Sequence, residues 1–192
     1  MTDSPLASAT QLASFMQLPL ASDDPTATLL LDIASGMVRD YLKQQLDLVP
    51  DDVVILDPIN GAYVMLPELP IASVSLLEYL DASVSPPVWT TADPSTYTVS
   101  ARLGIIAGLP GCGVFWPSTP ASWRVTYSHG FDPVPSSLVG VVLGVAARAY
   151  SSPAGIEQER FGGYQVKYAV EAAGFSAIEL VTLNRYKVGT IS

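Results

Sequence analysis

Chemistry needs nucleophiles, bases or metal ligands within reach of one another, and this sequence spaces its reactive side chains in ways that rarely allow it. The one histidine, His129, follows Ser128 in Tyr127-Ser128-His129-Gly130-Phe131. A serine beside a base is the obvious nucleophile arrangement, but neighbours on an extended chain point to opposite faces. The segment therefore reads as a strand end in which His129 is a turn residue before Gly130. The one cysteine, Cys112, lies between Gly111 and Gly113 with no base at hand and reads as a loop thiol. One cysteine and one histidine exclude an intramolecular disulfide and a Cys/His zinc site built within one chain.

The remaining candidates are weaker. Gly104, Gly108, Gly111 and Gly113 suggest a phosphate loop, yet no Gly-Lys-Ser/Thr follows them, so turn glycines are the better reading. The pairs Asp23/Asp24 and Asp51/Asp52 are spaced for acid–base work, but each sits where a helix cap or turn belongs. Glu157 and Glu159 fall on an expected loop near Arg160, suited to ion pairs across an interface. Trp89, Trp116 and Trp123 are spread through one region, which favours core or interface anchors over the lining of a sugar or peptide groove. No catalytic residue, metal site or cofactor is expected.

The elements that position these residues follow from periodicity. Leu12, Phe15 and Met16 have helical spacing within residues 8–18. Asp23-Asp24-Pro25 supplies caps and a first-turn proline to a helix over 25–45, where Leu30, Ile33, Met37 and Tyr41 recur at three- and four-residue steps. Asp32, Arg39, Asp40 and Lys43 take its other face. Between about 50 and 131 the rhythm becomes period two. Asn60-Gly61 predicts a tight hairpin joining Val53–Leu56 to Tyr63–Leu66. Val74–Leu80, Tyr97–Val99, Gly104–Ile106 and Val114–Trp116 are further strand candidates. In Ser122–Ser128, Trp123, Val125 and Tyr127 alternate with Ser122, Arg124, Thr126 and Ser128. Residues 138–149 are apolar almost all round, as in a helix enclosed on several sides, with Gly140 and Gly144 forming a small-residue seam. Gly163–Val170 alternates as a late ribbon, and Ser176-Ala-Ile-Glu179 is a capping box opening a last helix. The expected fold is α+β: a helical bundle core from residues 1–49 and 132–192, an inserted antiparallel β unit over 50–131, and a late β ribbon.

Composition then limits the function. Charged residues make up 14% of the 192-residue chain, hydrophobic residues 49%, and mean hydropathy is +0.35; soluble proteins average roughly 25% charged. Such a chain buries surface in a membrane or against other copies and partners. Leu138–Ala149 falls short of the roughly 20 residues a spanning helix needs. Met1-Thr2-Asp3-Ser4 has no basic-then-apolar pattern, so no secretory signal is expected. Net charge is −9, and the 9 basic residues are scattered, without the cluster that grips phosphates. The expectation is an oligomer that associates with no membrane and does not bind nucleic acid tightly.

The order of motifs resembles the head-to-tail adaptor (connector) family of long-tailed bacteriophages, particularly those of actinobacteria. The matching stretches are Leu29–Tyr41 (LLLDIASGMVRDY), Leu66-Pro67-Glu-Leu-Pro70-Ile-Ala-Ser-Val74, Trp123–Phe131 (WRVTYSHGF), Pro133-Val-Pro135, the Ala146-Ala-Arg148-Ala helix, Gly162–Tyr168 (GGYQVKY) and Glu179…Leu183…Arg185-Tyr186. Departures are Ser136-Ser137, where acids are common, and the Pro-rich segment 81–121. The resemblance implies a virion protein of the neck: a ring, usually of twelve copies, below the portal protein, extending the DNA channel toward stopper or tail proteins. It also implies portal or subunit contacts from the ribbon Gly163, Tyr164, Gln165, Val166, Lys167, Tyr168, Ala169 and Val170, and from the tail Val188, Gly189, Thr190, Ile191 and Ser192. Twelve acidic copies, about −100 in sum, suit a lumen through which DNA slides without specific binding, within a Debye length of the wall. A stopper or tail-completion neck protein is one alternative. From another class, a carbohydrate- or peptide-binding β module is the second.

Overall fold

The computed structural model describes residues 4–59, 63–151, 158–161, 164–167 and 174–187, the segments 158–161 and 164–167 by backbone alone. In chain order the elements are α1 (Ala9–Met16), α2 (Pro25–Leu42), β1 (Val49–Leu56), β2 (Tyr63–Met65), β3 (Ile71–Asp81), β4 (Val88–Thr91), β5 (Tyr97–Ser100) and β6 (Ile105–Gly108). β7 (Trp123–His129), α3 (Ser136–Ser151), β8 (Gln158–Phe161), β9 (Tyr164–Lys167) and α4 (Ala177–Asn184) follow. The fold is α+β. It divides into two compact units, Met1–Lys43 with Val134–Ser192, and Gln44–Pro133.

In the helical unit, Asp24 caps α2 by accepting the Ala27 N–H at 2.8 Å, and Pro25 occupies the first turn. The helix ends at Leu42, three residues before the expected limit, and Lys43 caps it in the left-handed conformation. Its buried stripe is Ala27, Leu31, Ala34, Ser35, Val38, Arg39 and Leu42. This corrects the expected face: Ile33 is exposed, and Arg39 is buried and donates to the Ser4 carbonyl at 2.7 Å. The reason is close packing. Ala27, Ala34 and Ser35 let α2 approach its neighbours, which the bulkier stripe would prevent.

α3 packs against α1, α2 and α4, which explains an apolar pattern wider than one stripe. Gly144 leaves room for the Glu179 carboxylate, which a Cβ would approach to 2.8 Å and push aside, whereas Gly140 faces open space. The expected seam is thus half used. α4 opens with the reciprocal Ser176–Glu179 capping box, and β8 and β9 pair as an antiparallel ribbon from Gln158↔Lys167 to Phe161↔Tyr164. Glu159 and Arg160 therefore lie on a strand, not a loop, while Glu157 is outside the described residues.

The β unit contains two antiparallel sheets, β1-β7-β3-β4 and β2-β6-β5. They share one core of Val64, Leu66, Leu77, Ala92, Ile106, Trp123, Val125 and Tyr127. β7 alternates as its sequence predicts, with Trp123, Val125 and Tyr127 buried. Ile59 and Tyr63 form an antiparallel bridge on either side of Asn60-Gly61, but the expected segments do not pair with each other: Val53–Leu56 pairs with β7 and Tyr63–Met65 with β6. The chain changes sheets there, which places Val64 on the opposite wall of the core; residues 60–62 are outside the described residues. Val114–Trp116 is not a strand, and β4, which had no sequence prediction, is one. Gly130, with φ +95°, closes β7 against Asp47 and Leu48 so tightly that any Cβ would overlap their backbone.

Candidate interaction surfaces

Among the described residues, the reactive side chains do not converge. Ser128 and His129 are successive residues of β7, and the His129 ring is buried inside the β unit. This corrects the reading of His129 as a turn residue: the alternation of β7 runs one step further than predicted. Its Nε2 lies 3.4 Å from an Asp52 carboxylate oxygen, and its ring lies 4.9 Å from that of Tyr127. Ser128 turns its hydroxyl the other way, accepting the Asp51 N–H at 3.2 Å. Burial pushes the Tyr127 phenol up to about 12; the Glu68 backbone opposes this, and the charges of Asp52 and Glu68 reinforce it. Tyr127 thus stays neutral and structural at neutral pH.

The other candidates have packing roles. Asp24 is a cap, and Asp51 accepts the Ser75 hydroxyl. Trp116 stacks on Trp123 at 4.7 Å and meets Tyr79 edge-on at 5.4 Å. The Arg124 guanidinium lies 4.6 Å over Trp89 while making two 2.6 Å hydrogen bonds to Glu78. That bonding holds the Glu78 carboxyl below its usual range, against a smaller opposing push from burial. A cleft of about 450 Å³ in the helical unit is lined by Pro5, Leu6, Gln11, Ser22, Thr28 and Leu31 among others, with no histidine, cysteine or carboxylate in its wall. No group of three metal-ligating side chains occurs among the described residues. No helix among them is long and apolar enough to cross a membrane.

What the structure does present is exposed apolar surface on both units. On α2, Leu29 and Ile33 are 59% and 50% exposed and lie one turn apart. Phe15 and Leu18 near the end of α1, and Ile178 and Val181 on α4, are also exposed. In the β unit, Val53 and Ile55 on β1 are 57% and 58% exposed. Phe115 reaches 89% on a loop whose next residue, Trp116, is anchored in the core. The sequence signal for α2 was present: Leu29-Leu30-Leu31 feeds two stripes, and only one can face the core. Of the residues implicated by family resemblance, Tyr164, Gln165, Val166 and Lys167 form β9. Gly163, Tyr168, Ala169, Val170, Val188, Gly189, Thr190, Ile191 and Ser192 lie outside the described residues.

No family model matches this chain, and no curated protein resembles it in sequence. Its fold is similar to chains in three solved particle structures. One is the neck of a native gene transfer agent particle computed with C12 symmetry, with TM-score 0.60 and 16% identity over 100% of this chain and 95% of that one. Another is the neck of the empty particle computed with C6 symmetry, with TM-score 0.59 and 16% identity over 100% and 94%. The third is the virion of the native particle, with TM-score 0.56 and 15% identity over 100% and 95%. At these identities the likeness is one of fold.

Proposed function

We propose that this chain is a structural neck protein of a phage-like particle, a head-to-tail adaptor acting by assembly and not by bond chemistry. Twelve copies would form a ring below the portal protein, extend the DNA channel and offer a platform to stopper or tail proteins. The observation that carries this reading is the end-to-end fold likeness to chains of gene transfer agent necks, one of them computed with C12 symmetry. Two features support it. A closed head-to-tail ring needs two different patches per subunit, and both units expose large aliphatic side chains. The charge deficit is also consistent, because surface shared with neighbours needs little solvation.

The chain, alone or with its portal protein, is expected to give a discrete ring by native mass spectrometry. Imaging of intact particles is expected to find that ring directly under the portal. A stable monomer at high concentration with no portal binding would overturn the proposal, and a position one tier lower would make the chain a stopper. The ribbon Gly163–Val170 and the tail Val188–Ser192 are assigned here to portal or subunit contacts. Deleting residues 188–192 is expected to leave the circular dichroism spectrum unchanged and weaken portal attachment; unchanged attachment would remove that assignment.

A further inference from the structure

We infer that the four-stranded sheet continues from one subunit to the next, β1 of one copy pairing antiparallel with β4 of its neighbour. The inference rests on the ring reading above and names the contact that would close it.

Among the described residues, the order β1-β7-β3-β4 leaves two sheet edges, β1 and β4. An open edge presents a row of backbone donors and acceptors ready to pair with another chain. Folded proteins usually protect it with lysine, proline, a bulge or an inward charge. In β1 those devices, Pro50, Asp51, Asp52 and a register irregularity, are confined to the first half, and its last four residues carry none; the four residues of β4 carry none either. Val53-Val54-Ile55-Leu56 contains no charge or proline, pairs with β7 in unbroken register, and follows the irregularity between Val49 and Asp52. Val88-Trp89-Thr90-Thr91 is likewise uncharged, and Pro86-Pro87 and Asp93-Pro94 confine it to four residues. All eight side chains are aliphatic, aromatic or threonine, and seven of the eight are types that favour extended backbone.

Direction and register also agree. Every pairing in the sheet is antiparallel. An even number of alternating strands therefore ends with β4 running opposite to β1, and a sideways repeat sets β4 against the next β1 in antiparallel sense. The β3 register pairs Glu78 with Thr91 and Leu80 with Trp89, and β7 links Glu78 through Arg124 to Ile55. Thr91, Trp89, Val53 and Ile55 consequently share the sheet face that carries Arg124. Antiparallel alignment of the two quartets pairs Val53 with Thr91 and Ile55 with Trp89, matching faces without leaving a residue over. Because this contact joins unlike edges it propagates from copy to copy, as a ring requires, whereas β1 against β1 would stop at a dimer.

The test uses the full-length chain in a Cys112→Ser background, carrying Val53→Cys and Thr91→Cys, both exposed positions outside the core. A short bifunctional maleimide is expected to give a covalent ladder extending to the full copy number. Val53→Cys alone should give none of it; dimers from that single variant would mean β1–β1 pairing and overturn the inference. In parallel, Val53→Lys with Ile55→Lys should retain the monomer's circular dichroism and melting temperature but lose the ring in native mass spectrometry. A ring that survives the lysines, or forms without cross-linking, overturns this interface and leaves the ring reading standing. A wild-type chain that forms no ring, even with its portal protein, overturns both.

Discussion

Replacing Trp123 by alanine is expected to lower the stability of the β unit by about 3–5 kcal/mol, the usual cost of deleting a buried indole. Domains are stable by roughly 5–15 kcal/mol, so much of the unit would unfold at moderate denaturant. Trp123 is fully buried on β7, the strand that pairs with both β1 and β3. Its ring supports Trp116, which touches Tyr79, and its indole N–H donates to the Pro117 carbonyl at 3.1 Å. Truncation would leave a cavity, strand that carbonyl and detach the loop bearing Phe115. The control is Trp89→Ala on the outward face, where the partly buried ring makes a cation–π contact with Arg124 worth about 0.5–1 kcal/mol. Urea titration followed by circular dichroism measures both. A Trp123→Ala midpoint within the range of the Trp89→Ala variant would refute this account of the core.

That contrast between two tryptophans was not legible in the sequence, although β7 was. Alternation over Ser122–Ser128 specified which residues face inward because period two leaves only two choices, and Trp123 fell on the apolar one. The α2 pattern offered more than one. Leu29, Leu30 and Leu31 fit several helical stripes, and the winning one is decided by how closely Ala27 and Ala34 let other helices approach. Asn60-Gly61 is a sound local signal, since Ile59 and Tyr63 on either side of it bridge antiparallel, yet the strands beyond went to different sheets because burial in a shared core decides their partners. His129 escaped because its neighbours Gly130 and Phe131 suggested a chain reversal, while the strand beneath it was one residue longer. Local patterns set elements and caps; the choice between competing partners belongs to tertiary packing.

The same packing sharpens the reading of the surface. Of the 9 cationic residues, Arg39 is buried, Arg124 is clamped by Glu78, and Arg148 by Glu179. A third of the positive charge thus serves internal contacts. What remains to solvate the exterior is poorer than composition alone implies, while Leu29, Ile33, Val53, Ile55 and Phe115 stay exposed. Scattered single apolar residues would mean little. Here pairs share one helix face and one strand face, the arrangement an assembly interface requires.

Acidification is expected to loosen the contact between α4 and α3 before either helix unfolds. Glu179 accepts Arg148 Nη1 and Nη2 at 2.8 and 2.9 Å, and the Ser176 N–H at 2.7 Å, in the space left by Gly144. Burial pushes the Glu179 carboxyl up, but Arg148 and Ser176 together outweigh it and leave it below its usual value. A carboxyl depressed on folding contributes its full stability above the unfolded value, about 4.3, and loses it as pH falls through the folded one. The contribution is about 1 kcal/mol, because Arg148 is partly exposed and solvent screens the pair. Glu179→Gln isolates this charge, since glutamine still completes the capping box. Glu179→Ala also removes the reciprocal half of the capping box, leaving the Ser176 N–H without its carboxylate while the Ser176 hydroxyl still caps the helix. Hydrogen exchange of α4 amides, corrected for intrinsic rates and referenced to α3, reads the effect. Wild-type protection of α4 should fall as pH drops below about 4.3, whereas Glu179→Gln should be less protected at neutral pH and nearly flat over the same descent. Equal protection of wild type and Glu179→Gln at neutral pH would show that this ion pair does not hold α4 in place.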